Sequence, residues 1–101
     1  MCRRAHGAGY VTWVGFHSGQ VKLDDENGNL KWHSSSPDSR RGFCRNCGSS
    51  LFFESEKWAG ETHIALGCID EPHSFRPQAH AFYDTHIQWM PLEEGLKIFE
   101  G

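Results

Sequence analysis

Apolar and polar residues alternate along this chain in short runs, and a turn signal follows nearly every run. Tyr10 to Phe16 is β-branched and aromatic almost throughout and stops at His17-Ser18-Gly19, which predicts a strand. Val21-Lys22-Leu23 alternates, Asp24 to Asn29 interrupts with an Asn-Gly pair, and Leu30-Lys31-Trp32-His33 resumes. Those two runs are expected to pair as a hairpin. Ser34 to Gly42 is rich in serine, holds Pro37 and two arginines and has no period, so it reads as a surface loop. Leu51 to Glu54 and Thr62 to Leu66 predict two more strands, with a turn at Trp58-Ala59-Gly60. Ala79 to Tyr83 predicts a further strand, entered from the extended pair Arg76-Pro77. Pro91 to Phe99 predicts one or two helical turns, with proline first and acids in the first turn, weakened by Gly95. The fold class expected is mainly β: a small sandwich or partly open barrel with at most one short C-terminal helix.

Length narrows this to one domain spanning all 101 residues. A chain of this size buries only about 60–65% of its unfolded surface, so a bound metal would add materially to stability. The net charge of −3 and a pI near 6.1 argue against a nucleic-acid partner, which needs a clear excess of Lys and Arg. Arg3-Arg4 and Arg40-Arg41 are too short to reverse that balance. No run approaches the roughly 18 apolar residues of a membrane span, and Met1-Cys2-Arg3-Arg4 leads into no apolar signal segment. A soluble, cytoplasmic protein in a reducing compartment is the expectation. Seven histidines mean that acidification swings the charge strongly positive.

The most specific chemistry lies in Cys44-Arg45-Asn46-Cys47-Gly48. Two thiols at this spacing can meet on one side of a tight turn. Gly48 can adopt positive φ and free backbone N–H groups to face the thiolates. That is half of a tetrahedral zinc site. A redox pair would instead have a helix starting at the second cysteine, whereas Gly48-Ser49-Ser50 and a strand follow here. A disulfide and two inert thiols are the remaining alternatives.

Five ordered segments carry a family resemblance: Cys2 to Gly7, Arg41 to Gly48, Gly67 to Pro72, Pro77 to Phe82, and Trp89. On these the chain resembles the glutathione-dependent formaldehyde-activating enzymes, which share a domain with the centromere protein V group. The resemblance implies a tent-like, mostly β fold with two zinc ions. In such proteins an upstream C-x-C joins the C-x-x-C around a structural zinc, and a C-x-C-x-x-C holds a zinc proposed to be catalytic. Cys44 and Cys47 match half of the first site, and Cys2 matches the last cysteine of the second. The other cysteines of both motifs have no counterpart, so the chain is expected to correspond to the C-terminal three-quarters of the domain. An early strand would then be missing, and the sheet edge left open would favour a homo-oligomer.

The activity implied is that of a carbon–sulfur lyase joining formaldehyde and glutathione to S-hydroxymethylglutathione, with zinc as Lewis acid. Arg3, Arg4 or Arg40 would meet glutathione carboxylates. The alternative is a non-catalytic, zinc-stabilised β module. No catalytic residue is singled out. Cys68 is expected as a buried small hydrophobe, His6 as solvated, and the four tryptophans mostly as core and rim residues. His80 suits a structural or a site role equally.

Overall fold

A computed structural model describes residues 2–70 and 74–99. In chain order it contains α1 (Cys2–His6), β1 (Trp13–His17), β2 (Leu30–Ser36), β3 (Ser39–Cys44), β4 (Ser50–Ser55), β5 (Glu61–Ala65), β6 (Ala79–His80) and β7 (Lys97–Ile98). Single 3-10 turns occupy Ser18–Gln20, Glu56–Trp58, Leu66–Cys68 and Tyr83–Thr85. The chain divides into two compact units, Thr12–Glu71 and the pair Met1–Val11 with Pro72–Gly101.

The first unit is one five-stranded antiparallel sheet in the order β1-β5-β4-β3-β2. Its strands lie in a single sheet and not in two stacked ones. The mainly β class therefore holds, and the expected strands near residues 13, 51 and 62 are present as β1, β4 and β5.

Two local expectations are corrected. Val21 to Leu23 forms no strand, and β2 pairs instead with β3, inside the segment read as a loop. The hairpin tip is Pro37-Asp38, where the Ser36 hydroxyl donates to Asp38 Oδ1 at 3.0 Å. Asn27-Gly28 does turn, with Gly28 at φ +63, but it closes onto Asp25. The Leu30 and Asn29 amides donate to that carboxylate at 3.0 and 2.9 Å, holding it below its ordinary pKa. Strand β3 escaped recognition because its side chains are mostly polar and acquire partners only across the sheet.

Those partners define one face. Trp32, Gly42, Phe52, Ile64 and Val14 form a row across all five strands. Gly42 is buried, and a Cβ there would meet Phe52 Cδ2 at 3.0 Å and Leu30 Cδ1 at 3.2 Å. The missing side chain lets Trp32 and Phe52 stack over it, ring centroids 6.0 Å apart. Beside this row, Arg40 lies over the Trp32 ring at 3.9 Å and donates to Glu54 Oε1 from Nε at 2.9 Å and Nη2 at 2.6 Å. The buried Thr62 hydroxyl donates to Glu54 Oε2 at 2.7 Å and shares a 3.0 Å contact with Ser18 Oγ. On the opposite face Trp13 packs on Phe53 at 5.8 Å, with the Arg41 guanidinium 5.0 Å over the Phe53 ring. Among the described residues only Gly42, Thr62 and Ala65 are buried, so the core is thin.

In the second unit β6 and β7 pair in parallel, with Phe99 N–H donating to the His80 carbonyl at 2.7 Å. The C-terminal helix expected over Pro91–Phe99 is absent. A turn with Gly95 at φ +82 precedes β7, because glycine releases the backbone where a helix would need to continue. Among the described residues the one α-helix is N-terminal instead. Strand Ala79–Tyr83 is cut short at His80, since Phe82 turns the chain at φ 53.

Two outcomes follow from the sheet. Gly42→Val should lower stability by about 1–3 kcal/mol in urea unfolding, because the new methyls collide with Phe52 and Leu30. Burial alone would raise the Glu54 pKa, but the Thr62 and Arg40 hydrogen bonds and the Arg40 charge outweigh it and hold it below the ordinary value. A depressed carboxylate stabilises the fold above its unfolded pKa of about 4.3, and that contribution disappears as pH falls through the lower folded value. Unfolding measured between about pH 6 and pH 3 should show this acid loss in the parent chain and a shallower slope in Glu54→Gln.

Candidate metal centre

The knuckle is held by the β3–β4 connection. Strand β3 ends at Cys44 and β4 starts at Ser50. Cys44 N–H donates to the Ser49 carbonyl at 2.9 Å, Gly48 N–H to the Cys44 carbonyl at 2.7 Å, and Arg45 N–H to the Asn29 carbonyl at 2.8 Å. Gly48 sits at φ +81, the left-handed turn expected of it. The turn brings Cys44 and Cys47 together. The Ser49 hydroxyl, 3.1 Å from Cys47 Sγ, the Ser49 amide and the Cys44 thiol all lower the Cys47 pKa from its ordinary value. Donors converging on sulfur favour its anion, the form that binds metal.

The other two thiols belong to other elements. Cys2 opens α1 in the second unit and is half-buried. Cys68 is exposed, not buried as expected, and its thiol donates to the Ser50 carbonyl at 3.4 Å. Strand β5 stops at Ala65, and the 3-10 turn Leu66–Cys68 carries the side chain out of the sheet. All four cysteines are thiols, and among the described residues no three of His, Cys, Asp or Glu converge as a metal group.

Of the arginines expected at glutathione carboxylates, Arg40 is engaged by Glu54 and Trp32. Arg3 donates from Nη2 to the Thr85 carbonyl at 3.2 Å, and Arg4 is exposed on α1. His6 is half-buried rather than solvated. Trp13, Trp32 and Trp58 are half-buried, whereas Trp89 is 76% exposed and belongs to neither core nor rim. His80 is engaged with the Glu93 carbonyl at 2.8 Å. Of the segment Gly67 to Pro72, Glu71 and Pro72 lie outside the described residues.

One constellation escaped the sequence reading. His63 Nε2 lies 3.2 Å from Glu61 Oε1, and the ring is flanked by Phe53 and Trp58 at 6.3 and 5.9 Å. Gly15 stands opposite His63 on β1, and a Cβ there would come within 3.0 Å of the carboxylate and 3.3 Å of Nε2. The alternation Glu61-Thr62-His63 was the available signal, since residues two apart share a strand face.

A family model described as glutathione-dependent formaldehyde-activating enzyme matches residues 1–85. The chain belongs to this family. No curated protein matches it. Proteins of the formaldehyde-activating family typically bind zinc, and the Cys44–Cys47 turn fits two positions of such a site by donor type and by the hydrogen bonding of its sulfur. The matched range contains Cys2, the knuckle and the His63–Glu61 pair, and ends before most of the C-terminal segment. Among the described residues no helix is long and apolar enough to cross a membrane.

Metal-stripped protein gives a direct test of the thiol environment. Alkylation of Cys47 followed by mass spectrometry should show a pH midpoint below that of an ordinary thiol, and Ser49→Ala should move it upward. An unchanged midpoint in the variant would remove Ser49 from the knuckle's chemistry.

Proposed function

We propose that this chain binds zinc through Cys44 and Cys47 and acts on glutathione or its formaldehyde adduct, within the carbon–sulfur chemistry of its family. The Cys44–Cys47 turn carries the reading. It presents two sulfurs, one with its thiol pKa held below the ordinary value by Ser49 and Cys44, on a loop whose ends are fixed by strand register. In the forward reaction the glutathione sulfur adds to the formaldehyde carbon, the C=O π bond opens, and the oxygen takes a proton. An open zinc site supplies Lewis acidity and a lowered thiol pKa for such a step. Cys2 is the residue that would serve that second zinc, and a cytoplasmic, reducing setting keeps all these thiols available.

A second reading, a zinc-stabilised β module without catalysis, is favoured by the ligand count. Among the described residues no group of three His, Cys, Asp or Glu side chains forms that could hold an open zinc site. The thin core of the sheet gives metal at the knuckle a structural use, since zinc sites in small domains contribute on the order of 10 kcal/mol. Two knuckles from two copies would supply four thiolates, which would make the chain a zinc-linked homo-oligomer.

Protein purified without chelator should contain zinc, and Cys44→Ser should lower both the zinc content and the melting temperature. Light scattering should show a dimer or larger species with zinc and a smaller one after chelation. Adduct formation by this chain should exceed the uncatalysed background on the first reading and equal it on the second. A melting temperature indifferent to zinc sinks the metal reading, and a rate well above background decides for catalysis.

A further inference from the structure

We infer that the cavity near the C-terminus of the chain is a binding site for a small organic cation, a primary ammonium carried on a short apolar chain. The cavity measures about 320 Å³ and lies within the unit formed by Met1–Val11 and Pro72–Gly101. This is the lower end of the range for small-molecule sites. Most of its lining comes after residue 85, beyond the part of the chain that matches the family.

Two imidazoles set its polarity. His80 Nε2 lies 2.8 Å from the Glu93 carbonyl, and a carbonyl only accepts, so this nitrogen carries the proton. In the neutral ring Nδ1 is then a bare acceptor. His86 is fixed in the opposite sense, its Nδ1 donating to the Tyr83 carbonyl, so that in the neutral ring Nε2 is the acceptor. His80 and His86 line the cavity, as do Glu93 and Glu94, and among the described residues no Lys or Arg does. A site lined by two acidic residues and two imidazoles, with no Lys or Arg among its described lining, favours an N–H donor bearing positive charge over a carboxylate. Glutathione, with two carboxylates, is therefore a poor match.

Aromatic and apolar walls complete the selection. The Tyr83 ring stacks on His86 with centroids 4.0 Å apart and tilts against His80 at 5.9 Å, giving a π face for an ammonium. Leu92, Leu96 and Ile98 line the remainder and suit an alkyl chain. The turn that delivers Tyr83 is strained, because Phe82 holds φ 53 and ψ 39, a left-handed conformation that a bulky residue rarely adopts. Such strain gathers at ligand sites. A metal ion is the poorer occupant, since among the described residues no three suitable ligands converge.

The test is an NMR titration of the full chain with hexylammonium, using hexanol and hexanoate as neutral and anionic probes of equal length. Hexylammonium should give saturable shifts among residues 80–98, about tenfold tighter than hexanol, with none from hexanoate. E93Q/E94Q should weaken hexylammonium alone, and its amide spectrum reports whether it remains folded. Equal affinity for hexylammonium and hexanol in the parent chain overturns the inference, as does a hexanoate response of similar strength or the lack of any saturable response to hexylammonium.

Discussion

The pairing of β3 with β4 is the constraint on which the rest of the sheet and its cysteine turn depend. The register sets Arg40 against Glu54 and Gly42 against Phe52, then shifts between Gly42 and Phe43, so that Phe43 faces Ser50. That shift leaves residues 44–49 as a closed loop with a thiol at its first position and another three residues on. A one-residue slip would move every side chain of β3 to the opposite face and separate Arg40 from Glu54. The knuckle is therefore a consequence of sheet register as much as of its own short motif.

Polar groups perform in this sheet a part that apolar packing performs in larger domains. Glu54 links β3 and β5 through Arg40 and Thr62, while Trp32 on β2 stacks beneath the same guanidinium. With three buried residues among those described, little apolar area holds the strands together. A carboxylate with its oxygens on two partners is satisfied, which is why burial does not push its pKa up. The same economy appears on the other face, where glycine at position 15 admits the His63–Glu61 pair beside aromatic rings.

The C-terminal segment follows a different logic. Its short strands and turns are fixed by ring-to-carbonyl hydrogen bonds of His80 and His86 and by the return of Phe99 to His80. Each histidine spends one nitrogen on a backbone carbonyl, and both residues line the C-terminal cavity.

From the sequence alone the mainly β class, the family and the Cys44–Cys47 turn with Gly48 could be read, because each rests on preferences that act within a few residues. Strands β1, β4 and β5 announced themselves through β-branched and aromatic runs. Strand β3 did not, since Arg40 and Arg41 look like loop residues until Glu54, Trp32 and Phe53 meet them from other strands. The exposure of Cys68 depended on where β5 stopped, and the loss of the C-terminal helix on a glycine turn leading into a strand whose partner lies 18 residues away. The meeting of His63 with Glu61 beneath Gly15 likewise needed β1 beside β5. Tertiary pairing decided these points, because cross-strand contacts join residues far apart in the chain and leave no periodic trace in either partner.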